Sequence, residues 1–158
     1  MLQLGDAQNQ FIIDTRQINP VPIIERLIAR NVLLVGHNIK YDYSVIKTNY
    51  SLEIENVFDT MLACQLVEYD DKALNFKKTK KKKRFTLEAA VQRHVSPLYY
   101  SGQTSLFVPV ITKKIRESFS KLEGDFSFEQ QYYGAYDVLT CFLLYKKLLV
   151  LLEERSLM

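Results

Sequence analysis

The sequence predicts an α/β domain whose strands all fall in its first sixty residues and whose second half is helical. Three observations predict it. Apolar runs of strand length recur at Leu2 to Leu4, Phe11 to Asp14 and Val32 to Val35, bounded by polar or turn-forming residues. Between them, apolar residues recur at helical spacing, as in Ile23, Ile24, Leu27 and Ile28. Beyond Asp59 the periodic segments read only as helices. Strands first and helices afterwards is the pattern of a sheet covered by helices.

Each element follows from local chemistry. The first two runs are joined by a polar turn around Asp6 to Gln10 and read as a pair of short strands. Pro20 and Pro22 open a helix, because proline is tolerated in a first helical turn, and Asn31 marks its end. Val32 to Val35 is continuously apolar, as expected of a strand covered on both faces. A helix over Tyr41 to Lys47 follows, then a short strand, Val57 to Thr60, ending at Asp59. A third helix begins there and carries Met61, Leu62, Leu66 and Val67, with Asp59 as its cap. Thr86 caps the next helix, with Leu87, Ala90 and Val91 inward. Ser96 to Ser105 is irregular, and a helix through Ile111, Ile115 and Phe119 follows it. Ser127 and Gln130 form a capping-box pattern for a final helix reaching about Glu154.

At 158 residues, 47% hydrophobic and 25% charged, the chain is expected to form a single domain, 1–158. Disordered and collagen-like chains are excluded. No apolar run approaches the length of a membrane span, and the start has no signal-peptide pattern. No membrane partner is expected. Cys64 and Cys141 sit in apolar helical patterns and read as free thiols of an intracellular, reducing compartment. Two histidines and two scattered cysteines build no structural zinc site, so any metal would take oxygen ligands, as Mg²⁺ or Mn²⁺ does. The net charge is +3, yet Lys77, Lys78, Lys80 to Lys83 and Arg84 carry +7, leaving −4 for the remainder. The basic loop 77–84 has three readings: a solvated loop, a phosphate-backbone contact through Lys80, Lys81, Lys82 and Lys83, or an import signal.

Two segments carry the chemistry. Gly36-His37-Asn38-Ile39-Lys40-Tyr41-Asp42 follows an apolar strand, which delivers Asn38 and Asp42 to its carboxyl end. Tyr133-Gly134-Ala135-Tyr136-Asp137 lies on the long final helix, where Tyr133 and Asp137 are four apart and share a face. Each residue has a plainer reading: Asp42 as a solvated residue of a first helical turn, Asn38 as a helix cap, Asp137 as a solvent-facing position. His37 reads as a hydrogen-bonding residue at the strand end. Tyr99 and Tyr100 read equally as base-stacking rings or as surface anchors.

Together the segments resemble the second and third motifs of the DnaQ-like 3′–5′ exonucleases, the DEDD superfamily with tyrosine in the third motif. Phe58-Asp59-Thr60-Met61-Leu62-Ala63 and Phe85-Thr86-Leu87-Glu88-Ala89-Ala90 resemble further segments of polymerase I-type proofreading domains, in family order. The resemblance implies an RNase H-like sheet and a nucleic-acid 3′ end, DNA or RNA, as substrate. It implies a two-ion Mg²⁺ or Mn²⁺ site with Asp42 and Asp137 as metal ligands, and Tyr133 as the residue orienting the attacking water. Asn38 and Lys40 would border the bound strand.

The departure is at the front. The family's first motif, Asp-x-Glu on an opening strand, does not occur in the first 30 residues. Gln3-Leu4 and Ile12-Ile13-Asp14 resemble the two strands that follow it, so the opening strand is expected to be missing from this chain. Asp6, in the hairpin turn, and Asp14, past the far strand end, are poor substitutes. Three readings stay open: an exonuclease completed by an Asp-x-Glu strand from another chain, a non-catalytic relative that binds nucleic acid or a polymerase, and a structural interaction module.

Overall fold

A computed structural model describes residues 1–69, 85–100, 113–121 and 123–157. The basic loop 77–84, Ile111 and residues 101–105 lie outside the described residues. The chain opens with a hairpin. Strand β1, Leu2–Gly5, pairs antiparallel with β2, Gln10–Ile13, in the register Leu2 to Ile13 through Gly5 to Gln10. Asp6 makes the turn: its Oδ1 accepts from the backbone N–H groups of Gln8 and Asn9, both at 2.8 Å.

Helix α1, Val21–Ala29, has Pro20 at its N-cap and buries Ile24. Asn31 ends it in the left-handed region, at φ 49°. Strand β3, Leu34–Gly36, helix α2, Ile39–Tyr50, and strand β4, Val57–Asp59, then form a parallel β–α–β unit with Gly36 opposite Asp59. The strand is shorter and more open than the apolar run suggests. Val32 and Leu33 precede the ladder and are each 39% exposed. Leu34 to Gly36 are only half-buried, so the run lacks the full cover expected of it.

Helix α3, Thr60–Val67, starts directly at the end of β4 and buries Ala63, Cys64 and Val67. Asp59 caps it, accepting from the N–H of Met61 at 2.8 Å. Helix α4, Leu87–His94, is capped by the Thr86 hydroxyl and buries Ala90 and Val91. A short helix α5, Lys113–Ser118, runs into a 3₁₀ turn, Phe119–Lys121. Helix α6, Phe128–Glu154, begins at the Ser127–Gln130 capping box. The core is where α3, α4 and α6 meet: Ala63, Cys64, Val67, Ala90, Val91, Leu144, Leu148 and Leu152.

The architecture is thus mixed α/β, with two small two-stranded sheets, helices around them and one long C-terminal helix. Helix α6 is its spine, since β1, β2 and β3 all pack on it. Gly134 makes the hairpin packing possible. A Cβ there would come within 2.8 Å of Ile12 Cδ1 and 3.0 Å of Gln3 Nε2. Glycine in a helix interior costs about 1 kcal/mol relative to alanine, so the close approach of β1 and β2 accounts for a residue that propensity disfavours.

Candidate active site

The sequence-predicted carboxylates stand on two elements, the parallel β-unit and α6. Asp42 sits in the first turn of α2, just past the carboxyl end of β3. Its side chain opens to solvent on one side. Burial of the carboxyl on the other, with the Asp59 carboxylate nearby, raises its pKa above the ordinary value. Asp137 lies half-buried on α6. One group senses both. The Cys141 thiol, one turn beyond Asp137, has its pKa pushed up to about 11, first by burial and then by the charges of Asp137, Asp42 and Asp59.

Neighbouring groups tie these elements together. Asp59 Oδ1 accepts from the Asn38 N–H at 3.0 Å as well as capping α3, so one carboxylate joins the starts of α2 and α3. Asn38 is in the left-handed region, φ 61°, and its side chain makes no capping bond, which removes the reading of its amide as a helix cap. Lys40 is exposed on the same turn. His37 is the hydrogen-bonding residue its position suggested. Its Nε2 lies 2.7 Å from the Phe85 carbonyl, which can only accept, so Nε2 carries the proton. Its Nδ1 lies 2.9 Å from Thr60 Oγ1. Burial lowers its pKa and keeps the ring neutral. Thr60 Oγ1 in turn lies 3.9 Å from Cys141 Sγ, linking the β-unit to α6.

Tyr133 stands one turn before Asp137 with its ring beside Phe119, centroids 5.9 Å apart. Tyr99 and Tyr100 are not surface rings. Both pack against the core, and the Tyr100 hydroxyl donates to Asp137 Oδ1 at 3.0 Å. Sequence reasoning missed this bond, because no spacing rule relates a turn residue to a helix 37 positions away. It also missed Glu68, buried and paired through one oxygen with Arg93 at 2.9 Å and His94 at 2.8 Å. Asp14 is occupied elsewhere. Arg16 binds it at 2.6 Å and lowers its pKa to about 2, and Asp6 is spent on its own turn.

Among the described residues, no three His, Cys, Asp or Glu side chains converge to hold a metal ion. A magnesium ion keeps its waters and needs several anionic ligands or substrate phosphates. Asp42 and Asp137 by themselves do not fit a two-ion centre.

Comparison with known proteins gives the family. A family described as 3′–5′ exonuclease matches residues 1–153. The chain belongs to that exonuclease family. DNA polymerase I of Aquifex aeolicus (strain VF5) is 33% identical over 75 residues, which cover 48% of this chain and 13% of that protein. The chain thus corresponds to a small part of this relative's length. No solved structure matches. Among the described residues, no helix is long and apolar enough to cross a membrane.

Proposed function

We propose that this chain is the larger part of a 3′–5′ exonuclease domain, which hydrolyses the 3′-terminal phosphodiester of a nucleic acid once an Asp-x-Glu strand from outside the chain completes it. Asp42 and Asp137 supply half of the carboxylate set, and Tyr133, on the face of α6 that carries Asp137, orients the attacking water. Asn38 and Lys40, at the start of α2, border the bound strand, and Lys80 to Lys83 contact its phosphates. The observation that carries the reading is the exonuclease-family match over residues 1–153, together with Asp42 just past the end of β3 and Asp137 on α6, the helix that packs on β3.

The two small sheets support the missing strand. Among the described strands, β1 pairs only with β2 and β3 only with β4, while β1 and β3 both rest on α6. One strand entering between β1 and β3 would join them into a single RNase H-like sheet. It would satisfy two open edges, which sheets seldom leave uncovered. It would also bring its acidic side chains to the end of β3, beside Asp42. Four carboxylate groups are a donor set suited to Mg²⁺ or Mn²⁺. The polymerase relative favours a setting beside a polymerase.

The test is to add a peptide or fused strand carrying Asp-x-Glu and follow a 5′-labelled oligonucleotide in Mg²⁺ or Mn²⁺. Stepwise release of nucleoside monophosphates by the completed protein, with little from the 158 residues alone, is the expected result. A completed protein that pairs the strand and still does not trim would leave the non-catalytic, nucleic-acid-binding reading in its place.

A further inference from the structure

Tyr100 is held in a conformation its residue type disfavours. It closes the turn after α4 in the left-handed region, φ 60°. For a non-glycine residue this conformation is unfavourable and persists only where the surroundings over-determine it. They do so here. Gln92 Nε2 donates to the Tyr99 carbonyl at 3.0 Å, tying the turn to α4. The Tyr100 N–H donates to the Tyr136 hydroxyl at 3.4 Å, and the two rings meet edge to face with centroids 5.0 Å apart. The phenol oxygen then lies 3.0 Å from Asp137 Oδ1 and 2.8 Å from Thr140 Oγ1.

Proton counting orders this cluster. An ionised carboxylate only accepts, so the phenol proton goes to Asp137. The neighbouring Thr140 hydroxyl, which has no exposed surface, gives its own proton to the Tyr136 carbonyl at 2.8 Å.

We infer that Tyr100 is a positioning residue for Asp137: its hydroxyl, fixed by a strained turn beside Thr140, holds the carboxylate in one orientation for the proposed reaction. This rests on the reading of Asp137 as a site carboxylate. Tyr100 acts through Asp137.

Tyr100→Phe keeps the ring and removes only the hydroxyl, and two measurements test it. The first is made on the 158-residue chain by proton NMR with labelled tyrosine. A slowly exchanging, downfield Tyr100 hydroxyl proton is expected, absent in Tyr100→Phe and shifted upfield in Asp137→Asn. The second uses the strand-completed protein. Tyr100→Phe should lower kcat about 10–100-fold, the usual effect of removing a partner that orients a ligand, while KM for the oligonucleotide stays unchanged. A merely structural role would leave kcat intact and change only the melting temperature. If Tyr100→Phe does not fold, Thr140→Val removes the hydroxyl beside the phenol and should give a smaller fall in kcat. A completed wild type that does not trim would overturn the exonuclease reading, while the proton signal would still decide the Tyr100–Asp137 bond. A hydroxyl proton unmoved by Asp137→Asn, or an unchanged kcat in Tyr100→Phe, overturns the inference.

Discussion

The fold holds Asp42 and Asp137 in opposite ways. Asp137 is on a 27-residue helix whose far half forms the core, and a phenol donates to it from a separate turn. Asp42 is on the first turn of a helix with no buried residue, and its nearest charged influence is a like charge, Asp59. One carboxylate belongs to the scaffold. The other stands on an open rim between a solvent face and a second carboxylate. The contrast separates rigidity from exposure: an interior helix fixes one group, and a strand end presents the other.

The largest test of that contrast is activity. In the strand-completed protein, Asp137→Asn should reduce 3′ trimming at least about a thousandfold, the consequence of losing several kcal/mol of transition-state charge stabilisation. Tyr133→Phe, one turn away, should reduce it by a smaller factor, on the order of tenfold, as one water-orienting hydroxyl is lost. Equal effects of the two variants in single-turnover assays would mean that the phenol and the carboxylate act as a unit. An Asp137→Asn protein that trims normally would remove Asp137 from the chemistry.

Next in size is stability. Asp137→Ala takes the ionic acceptor from a buried phenol, and should cost about 1–3 kcal/mol in urea unfolding. Asp42→Ala, on an open turn, should change stability by no more than about 0.5 kcal/mol. If Asp42→Ala costs as much as Asp137→Ala, the distinction between scaffold and rim is wrong.

The same distinction explains what could be read from the sequence. The hairpin, the Pro20 helix start, the Asp59 and Thr86 caps and the Ser127–Gln130 box depend on neighbours within a few residues, and all of them form. The His37 hydrogen bonds were legible in kind, because a histidine at a strand end needs partners, but not in identity, since Phe85 is 48 positions away. The bond from Tyr100 to Asp137 was not legible. It depends on a left-handed turn residue and on how α4 and α6 pack, and tyrosines in an irregular stretch carry no sign of the direction they face. Val32 and Leu33 misled for a related reason. Apolar content reports that a run can be covered, and the elements packed on its faces decide whether it is.

Salt dependence examines the basic segment 77–84. Replacing Lys80, Lys81, Lys82 and Lys83 with alanine should weaken binding of all oligonucleotide sequences alike. The slope of log affinity against log salt should flatten by about 0.7 to 0.9 for each phosphate that the variant no longer neutralises. An unchanged slope in fluorescence-anisotropy titrations would remove the loop from the nucleic-acid interface.

The smallest expected effect is the pH dependence of stability, where Asp42 and Asp14 should differ in sign. Arg16 holds the folded-state pKa of Asp14 at about 2, below the unfolded value. Ionised Asp14 therefore stabilises the fold above pH ~4, and that contribution is lost as pH falls toward the folded value. Asp42 runs the other way. Burial, with Asp59 beside it, raises its folded pKa, so ionised Asp42 weakens the fold at neutral pH. That penalty is complete above the folded pKa and is gone below the unfolded value of about 3.9. In metal-free buffer, Asp42→Asn should raise the urea midpoint at pH 7, and the gain should disappear in acid. Asp14→Asn should lower the midpoint at pH 7, and the loss should fade as the pH approaches 2. A destabilising Asp42→Asn at pH 7 would mean that the carboxylate has a favourable partner in the fold, and the rim would then be as closely held as the scaffold.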